Sequence, residues 1–194
     1  PVEGLPGWVT YDMVLAALEM HEQYGYPASA LLGQMFIENG TNDEGSSLGR
    51  HYHNYAGIKC VTDKGDGLVV GCTNPVQTME CSENASCFYI HDRFSIFASD
   101  RAFMEYRCKH LLQQPRYTSV PNFQKAIQTN DAALFIRAIG EGGYYTADRD
   151  QYVAIFESVR NRYPLLQQLD SMTSAQFVDY MNNQGGVVNN NFPI

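Results

Sequence analysis

Apolar residues recur at helical spacing towards both ends of the chain and give way to a polar, glycine-rich stretch between them. Val14, Leu15 and Leu18, behind Thr10 as N-cap, make an amphipathic helix of the segment from Trp8 to Tyr24, which Gly25 ends. Pro27 stands where a helix accepts its proline, and Ala30, Leu31, Leu32, Met35 and Phe36 carry a second, more apolar helix up to Gly40. Glu38 falls in its last turn. From Thr41 to Arg50 the residues are mostly small and polar and predict a loop. Asn54 to Phe88 mixes short β-favouring runs, such as Leu68 to Val70, with glycine and asparagine turns, which predicts a small hairpin lobe. Helical patterns return with Ser99 as a cap for a helix through Leu112. Short helices at Pro121 to Gln128 and Asp131 to Ile139 follow. Tyr152, Ile155, Phe156 and Val159 at i, i+3, i+4 and i+7 predict a last strong helix ending near Pro164. Beyond Asp170 the pattern supports one weak helix and then a loose stretch from Gly185 to Ile194.

Helices, an inserted β lobe at about 54–92, and helices again make an α+β protein, mainly helical, with a cleft between lobes. With 194 residues, 44% of them hydrophobic, a single compact domain over 1–170 with a C-terminal extension over 171–194 is expected. No run approaches the roughly 18 to 20 apolar residues of a membrane-spanning helix, and no signal-peptide pattern opens the chain. A mature chain or an excised piece of a larger cell-surface protein, monomeric and without membrane insertion, fits these features.

Charge narrows the partners. A formal net charge of −8 without any Lys/Arg cluster argues against a nucleic-acid backbone. The 13 tyrosines and 10 phenylalanines suit a glycan groove, where sugar C–H faces stack on rings, although they build cores equally well. Four of the five cysteines crowd between Cys60 and Cys87. Local pairs such as Cys60 with Cys72 and Cys81 with Cys87 would close short loops in a segment too polar to hold itself together, which suggests an extracellular setting. A zinc site is the rival reading, but no Cys-x-x-Cys occurs and His51 and His53 lack a third ligand, so neither metal nor cofactor is expected. Cys108 reads as a buried thiol on a helix.

Glu38 is the candidate for chemistry. A carboxyl buried at the end of an apolar helix has its charged form disfavoured, and glycoside cleavage needs a carboxylic acid to protonate the leaving oxygen. On position alone a glutamate near a helix end is more often a solvated surface residue.

The surrounding residues sharpen this. Gln34-Met35-Phe36-Ile37-Glu38-Asn39-Gly40 fits a Q-x-x-x-E-x-G helix end, and Asn54-Tyr55-Ala56-Gly57-Ile58-Lys59 fits N-x-x-G-I-K. Phe94-Ser95-Ile96-Phe97-Ala98-Ser99-Asp100 fits F-x-x-(F/Y)-x-S. Arg116-Tyr117, then Gly143-Tyr144-Tyr145-Thr146-Ala147-Asp148 and Tyr152, fit R-Y followed by G-Y-x-T-x-D-x-x-Y. In this order, over about 24–170, the chain resembles the glucosaminidase domain family of peptidoglycan hydrolases, glycoside hydrolase family 73, which includes autolysins and the flagellar rod hydrolase.

That resemblance implies a lysozyme-like helical lobe, a small inserted β-hairpin lobe, and a cleft binding bacterial peptidoglycan strands of N-acetylglucosamine and N-acetylmuramic acid. It implies a secreted or wall-associated bacterial enzyme that cleaves after N-acetylglucosamine. Glu38 takes the role of general acid and Tyr144 a place near the reacting sugar. Glu80, in Thr78-Met79-Glu80, matches a second acidic position of the β lobe, with Asp63, Asp66 and Glu83 as neighbours. Asn54, Tyr55, Lys59 and Tyr145 stand in the matched blocks as candidate substrate-binding residues, Asn54 and Lys59 with a rival role in holding the lobe. The separation of Glu38 and Glu80 would sort the mechanism: roughly 6.5–9.5 Å for inversion and roughly 5–5.5 Å for a nucleophilic carboxylate. The third route is attack by the substrate's own acetamido group. The chain departs from the family at Asn39 to Thr41, where serine and tryptophan are usual, and at Ala56, where phenylalanine is usual, which implies a reshaped groove. A muramidase or lytic transglycosylase, or a glycan-binding module without chemistry, are the alternatives.

Overall fold

A computed structural model describes residues 1–189 apart from Glu83 and Ala85. Helix α1 (Tyr11–Tyr24) starts at Thr10, whose hydroxyl accepts from the Met13 amide, and stops at Gly25 in the left-handed region. Helix α2 (Ala28–Asn39) is buried from Ala28 to Phe36 and forms the axis of the molecule. Pro27 sits one position earlier than expected and brings no capping side chain. The first turn of α2 is instead capped from a distance: Asp170 accepts from the Ser29 amide at 2.9 Å and the Ser29 hydroxyl at 2.5 Å.

The expected loop at 41–50 gives way to a short helix, α3 (Ser47–Tyr52). Ser46 caps it by accepting from the Gly49 amide at 3.0 Å. The β lobe then runs further than 92, to Phe97. It holds two separate antiparallel pairs: β1 (Val69–Cys72) with β4 (Ser95–Phe97), and β2 (Val76–Cys81) with β3 (Cys87–Asp92). Disulfides Cys60–Cys72 and Cys81–Cys87 both form; the second closes the β2–β3 ribbon, and Cys108 is free and buried.

Ser99 caps α4 (Asp100–Tyr106), which runs into a π-helical turn, Arg107–Leu111. Helices α5 (Pro115–Thr118), α6 (Pro121–Thr129) and α7 (Ala132–Glu141) lead to α8 (Arg149–Arg162) and α9 (Pro164–Gln168). The last, α10 (Ser174–Asn189), docks beside α1. Its Phe177 is fully buried and stacks on Tyr11, while Glu22 accepts from the Ser174 amide and hydroxyl. Helix therefore continues through 185–189, where looseness was expected, and the rest of that stretch lies outside the described residues. Among the described residues no helix is long and apolar enough to cross a membrane.

One glycine sets the approach of α8 to α2. A Cβ on Gly33 would stand 2.6 Å from Phe156, so α8 lies against α2 only because position 33 has no side chain. That contact brings Tyr152, one turn before Phe156, under the end of α2.

Candidate active site

Glu38 is exposed, contrary to the burial expected from its helix. The apolar stripe of α2 ends at Phe36, and the last turn presents Glu38 outward while Asn39 turns inward. Asn39 donates to the Met35 carbonyl at 2.8 Å and the Tyr55 carbonyl at 2.6 Å, and its oxygen accepts from Ser46 at 2.5 Å. The helix end is thus pinned by the residue next to Glu38.

A chain of hydrogen bonds runs from Glu38 into the core. Tyr152 donates to Glu38 Oε1 at 3.0 Å. Gln34, one turn before Glu38 on the same face, donates from Nε2 to the Tyr152 hydroxyl at 3.5 Å. Its Oε1 accepts from Arg107 at 2.9 Å. Arg107, wholly buried, also donates to the Leu31 carbonyl at 2.6 Å and to the Tyr144 hydroxyl at 3.1 Å, with its guanidinium carbon 5.5 Å from the Tyr144 ring centre. A buried guanidinium without a carboxylate partner is expensive, and these acceptors and the ring face offset part of that cost.

The tyrosine loop closes around this chain. Asp148 caps α8 by accepting from the Gln151 amide at 3.0 Å, and the Tyr152 amide bonds the Asp148 carbonyl at 2.9 Å, which fixes where Tyr152 begins its reach. Tyr145 stacks flat on Tyr152, ring centres 3.7 Å apart, and donates to the Ile136 carbonyl at 2.9 Å. A Cβ on Gly140 would stand 2.3 Å from Tyr145, so this stack requires glycine there. Burial raises the Tyr144 hydroxyl's pKa first, Arg107 opposes that rise, and the nearby Glu38 charge adds to it. Burial likewise raises Tyr152, with Glu38 next, and pushes Tyr145 up to about 12. All three phenols stay protonated at neutral pH and act as hydrogen-bonding groups.

The other predicted residues lie elsewhere. Asn54 is buried with its amide fully used: Nδ2 donates to the Ile58 and Ser95 carbonyls at 2.9 Å each, and Oδ1 accepts from the Ile58 amide at 2.9 Å. Tyr55 is buried, stacks on Trp8 and donates to Asp100 at 2.7 Å. Both hold the base of the β lobe, and the Asn54 amide has no group left for a sugar. Lys59 is exposed and bridges Asp92 at 2.9 Å and Glu80 at 3.7 Å. Its ammonium pKa is raised, chiefly by the Asp92 hydrogen bond, and the Asp92 carboxyl is lowered chiefly by Lys59. Glu80 belongs to this exposed triad and, among the described residues, makes no hydrogen bond or ion pair with the Glu38 chain. Asp63 caps a tight turn by accepting from the Gly65 amide at 2.9 Å, Asp66 sits in the left-handed region, and Glu83 lies outside the described residues. A separate concavity of about 520 Å³, lined by Trp8, Asp43, Arg50, His53, Tyr55 and Asp100 among others, engages His53 through Asp100 at 2.7 Å.

Glu38, Tyr144 and Tyr145 are therefore brought together, and Gln34 and Tyr152 join them from the same sequence blocks. Arg107 carries no signal in those blocks. A hint lies in its neighbours, since Phe103, Met104 and Cys108 leave no solvent face for it, and the π turn lets adjacent Arg107 and Cys108 both point inward.

A sequence model of the glucosaminidase family, described as mannosyl-glycoprotein endo-beta-N-acetylglucosaminidase, matches residues 14–185. No curated protein matches the chain significantly. Among solved structures, the catalytic domain of the autolysin Auto from Listeria monocytogenes is similar with a TM-score of 0.60 and 19% identity, covering 82% of this chain and 88% of that one. A peptidoglycan hydrolase mutant from Sphingomonas sp. A1 gives 0.55 and 21%, over 77% and 93%. The C-terminally truncated glycoside hydrolase domain of FlgJ from Salmonella typhimurium gives 0.53 and 24%, over 83% and 95%. These likenesses establish the shared lysozyme-like fold, and the family match over most of the chain establishes membership: the protein belongs to the glucosaminidase family of glycoside hydrolases.

Proposed function

We propose that this protein cleaves the β-1,4 bond after N-acetylglucosamine in peptidoglycan glycan strands, with Glu38 as the general acid. The observation that carries this reading is Glu38 itself, held at an exposed helix end by a phenol on one oxygen, with Oε2 free of protein partners among the described residues. A proton on that oxygen faces solvent, where a glycosidic oxygen can receive it. Tyr144 and Tyr145 line the approach through their contacts with Arg107 and Tyr152. Glu80 is the candidate for the second half of the reaction, as base or nucleophile, with the Lys59 ammonium 3.7 Å away. The two disulfides favour action outside the cytoplasm.

A lytic transglycosylase reading has one observation in its favour: Glu80 is bound to Lys59 and not to the Glu38 chain, and a transglycosylase needs no water-activating carboxylate. Digestion of purified peptidoglycan, followed by borohydride reduction and mass spectrometry of the ends, separates the readings. New reducing N-acetylglucosamine ends are expected with the native chain. With Glu38→Gln the rate should fall by about 10²- to 10⁴-fold while the fold is kept. Anhydromuramic ends that persist in Glu80→Gln would favour the transglycosylase. No ends from the native chain would leave a glycan-binding module, and an active Glu38→Gln would sink the acid assignment.

A further inference from the structure

The hydrogen bonds beneath Glu38 have a direction, and Arg107 sets it. A guanidinium only donates, so Arg107 must face an oxygen of Gln34. That choice fixes the amide: its NH₂ group points at Tyr152 and occupies a lone pair of the hydroxyl. The Tyr152 O–H is then turned towards Glu38 Oε1, which can only accept. The same guanidinium donates to the Tyr144 hydroxyl, so that phenol also has its proton directed away from Arg107.

We infer that Arg107 is a positioning residue that, through Gln34 and Tyr152, decides which oxygen of Glu38 carries the transferable proton. The inference rests on Glu38 as the acid. Oε1, receiving the Tyr152 proton, stays the acceptor, and the proton resides on Oε2. In the reaction it passes from Oε2 to the glycosidic oxygen. That oxygen keeps the electron pair of the broken C–O bond and leaves as a hydroxyl, while the sugar carbon is captured by water, which gives up its extra proton to solvent, or by the substrate's acetamido oxygen. The carboxylate left on Glu38 is met at Oε1 by a donor already in place, so no group has to turn as charge develops.

Removing Arg107 outright empties a buried polar site and can unfold the chain, so the decisive variant is Gln34→Glu. It is close in size and gives Arg107 a carboxylate partner, but both of its oxygens accept. Tyr152 then donates to residue 34 and Glu38 loses its donor. With peptidoglycan as substrate, kcat should fall about ten- to a hundredfold, the scale of one hydrogen bond to a charged group, with KM within about twofold and the melting temperature not lowered. Tyr152→Phe should cause a similar loss, and the double variant should lose no more than either single one, because both remove the same bond. A merely structural network predicts the opposite pattern: activity retained wherever stability is. Native kcat in Gln34→Glu, or additive losses in the double variant, would overturn the inference. If Glu38→Gln is inactive and Gln34→Glu fully active, only this inference fails; if Glu38→Gln is active, the acid reading fails first.

Discussion

Glu38 shows how a single residue can be identified for a reason that its surroundings then revise. Its place at the end of an apolar helix suggested burial, yet the helix buries Asn39 and exposes Glu38. The acid role proposed for it rests on a directed donor beneath it and an exposed side chain above. Residues with no polar atoms matter as much. Gly140→Ala would drive a methyl into Tyr145, whose ring lies on Tyr152. Overpacking of this kind costs about 1–3 kcal/mol, so urea unfolding should shift by that amount. Activity should fall further than stability, because the Tyr145–Tyr152 stack is what holds the phenol at Glu38. Arg107 was the residue least visible in the sequence. A lone arginine on a helix is ordinarily a solvated one, and its burial depends on Leu31, Gln34 and Tyr144, which lie far along the chain.

Elements were legible where period and cap agreed. Helices α1 and α2 repeat apolar residues every three to four positions, and Thr10 and Gly25 bound α1 as read. Helix α3, with six residues and one strongly apolar side chain, is too short to display a period, and Ser46 makes it through a cap alone. The β lobe's cysteine pairs were readable from their closeness in sequence, but the split into two strand pairs was not, since β4 is separated from β1 by a whole ribbon. Each disulfide closes a short loop and should contribute about 2–3 kcal/mol by limiting the unfolded lobe. Mild reduction is therefore expected to loosen the β lobe and lower activity, while helical circular dichroism from α1, α2 and α8 persists. Simultaneous loss of both signals would mean that the lobes unfold as one unit.

For the molecule as a whole, the helical lobe with an inserted β lobe was readable, because helix-period segments flank one polar, turn-rich stretch. The outer face is acidic, with a net charge of −8, and the interior is rich in phenols. Burial raises the pKa of Tyr26, Tyr55 and Tyr152, pushes Tyr117 up to about 12, and does the same to the Cys108 thiol. In the unfolded chain these groups ionise near pH 9–10, so there the unfolded state releases protons that the native state keeps. Native pKa values above unfolded ones mean stability that is complete below about pH 9 and declines as pH rises above it. Alkaline titration should accordingly show exposed tyrosines such as Tyr89 ionising first and a second phase of phenolate absorbance rising in step with loss of helix, and Cys108 should resist thiol reagents until that transition. Complete phenolate formation with the helices intact would contradict it.

Trp8, the single tryptophan of the chain, donates from its indole nitrogen to the carbonyl of Gly40 at 3.0 Å, stacks on Tyr55 and is roofed by Gly45. The same carbonyl belongs to the cap of the helix that presents Glu38, two residues away. The protein thus carries its own optical probe, with its one indole bonded to the end of the helix that presents Glu38. Any glycan that shifts the end of α2 on binding changes the light the molecule gives off, without a dye or a label.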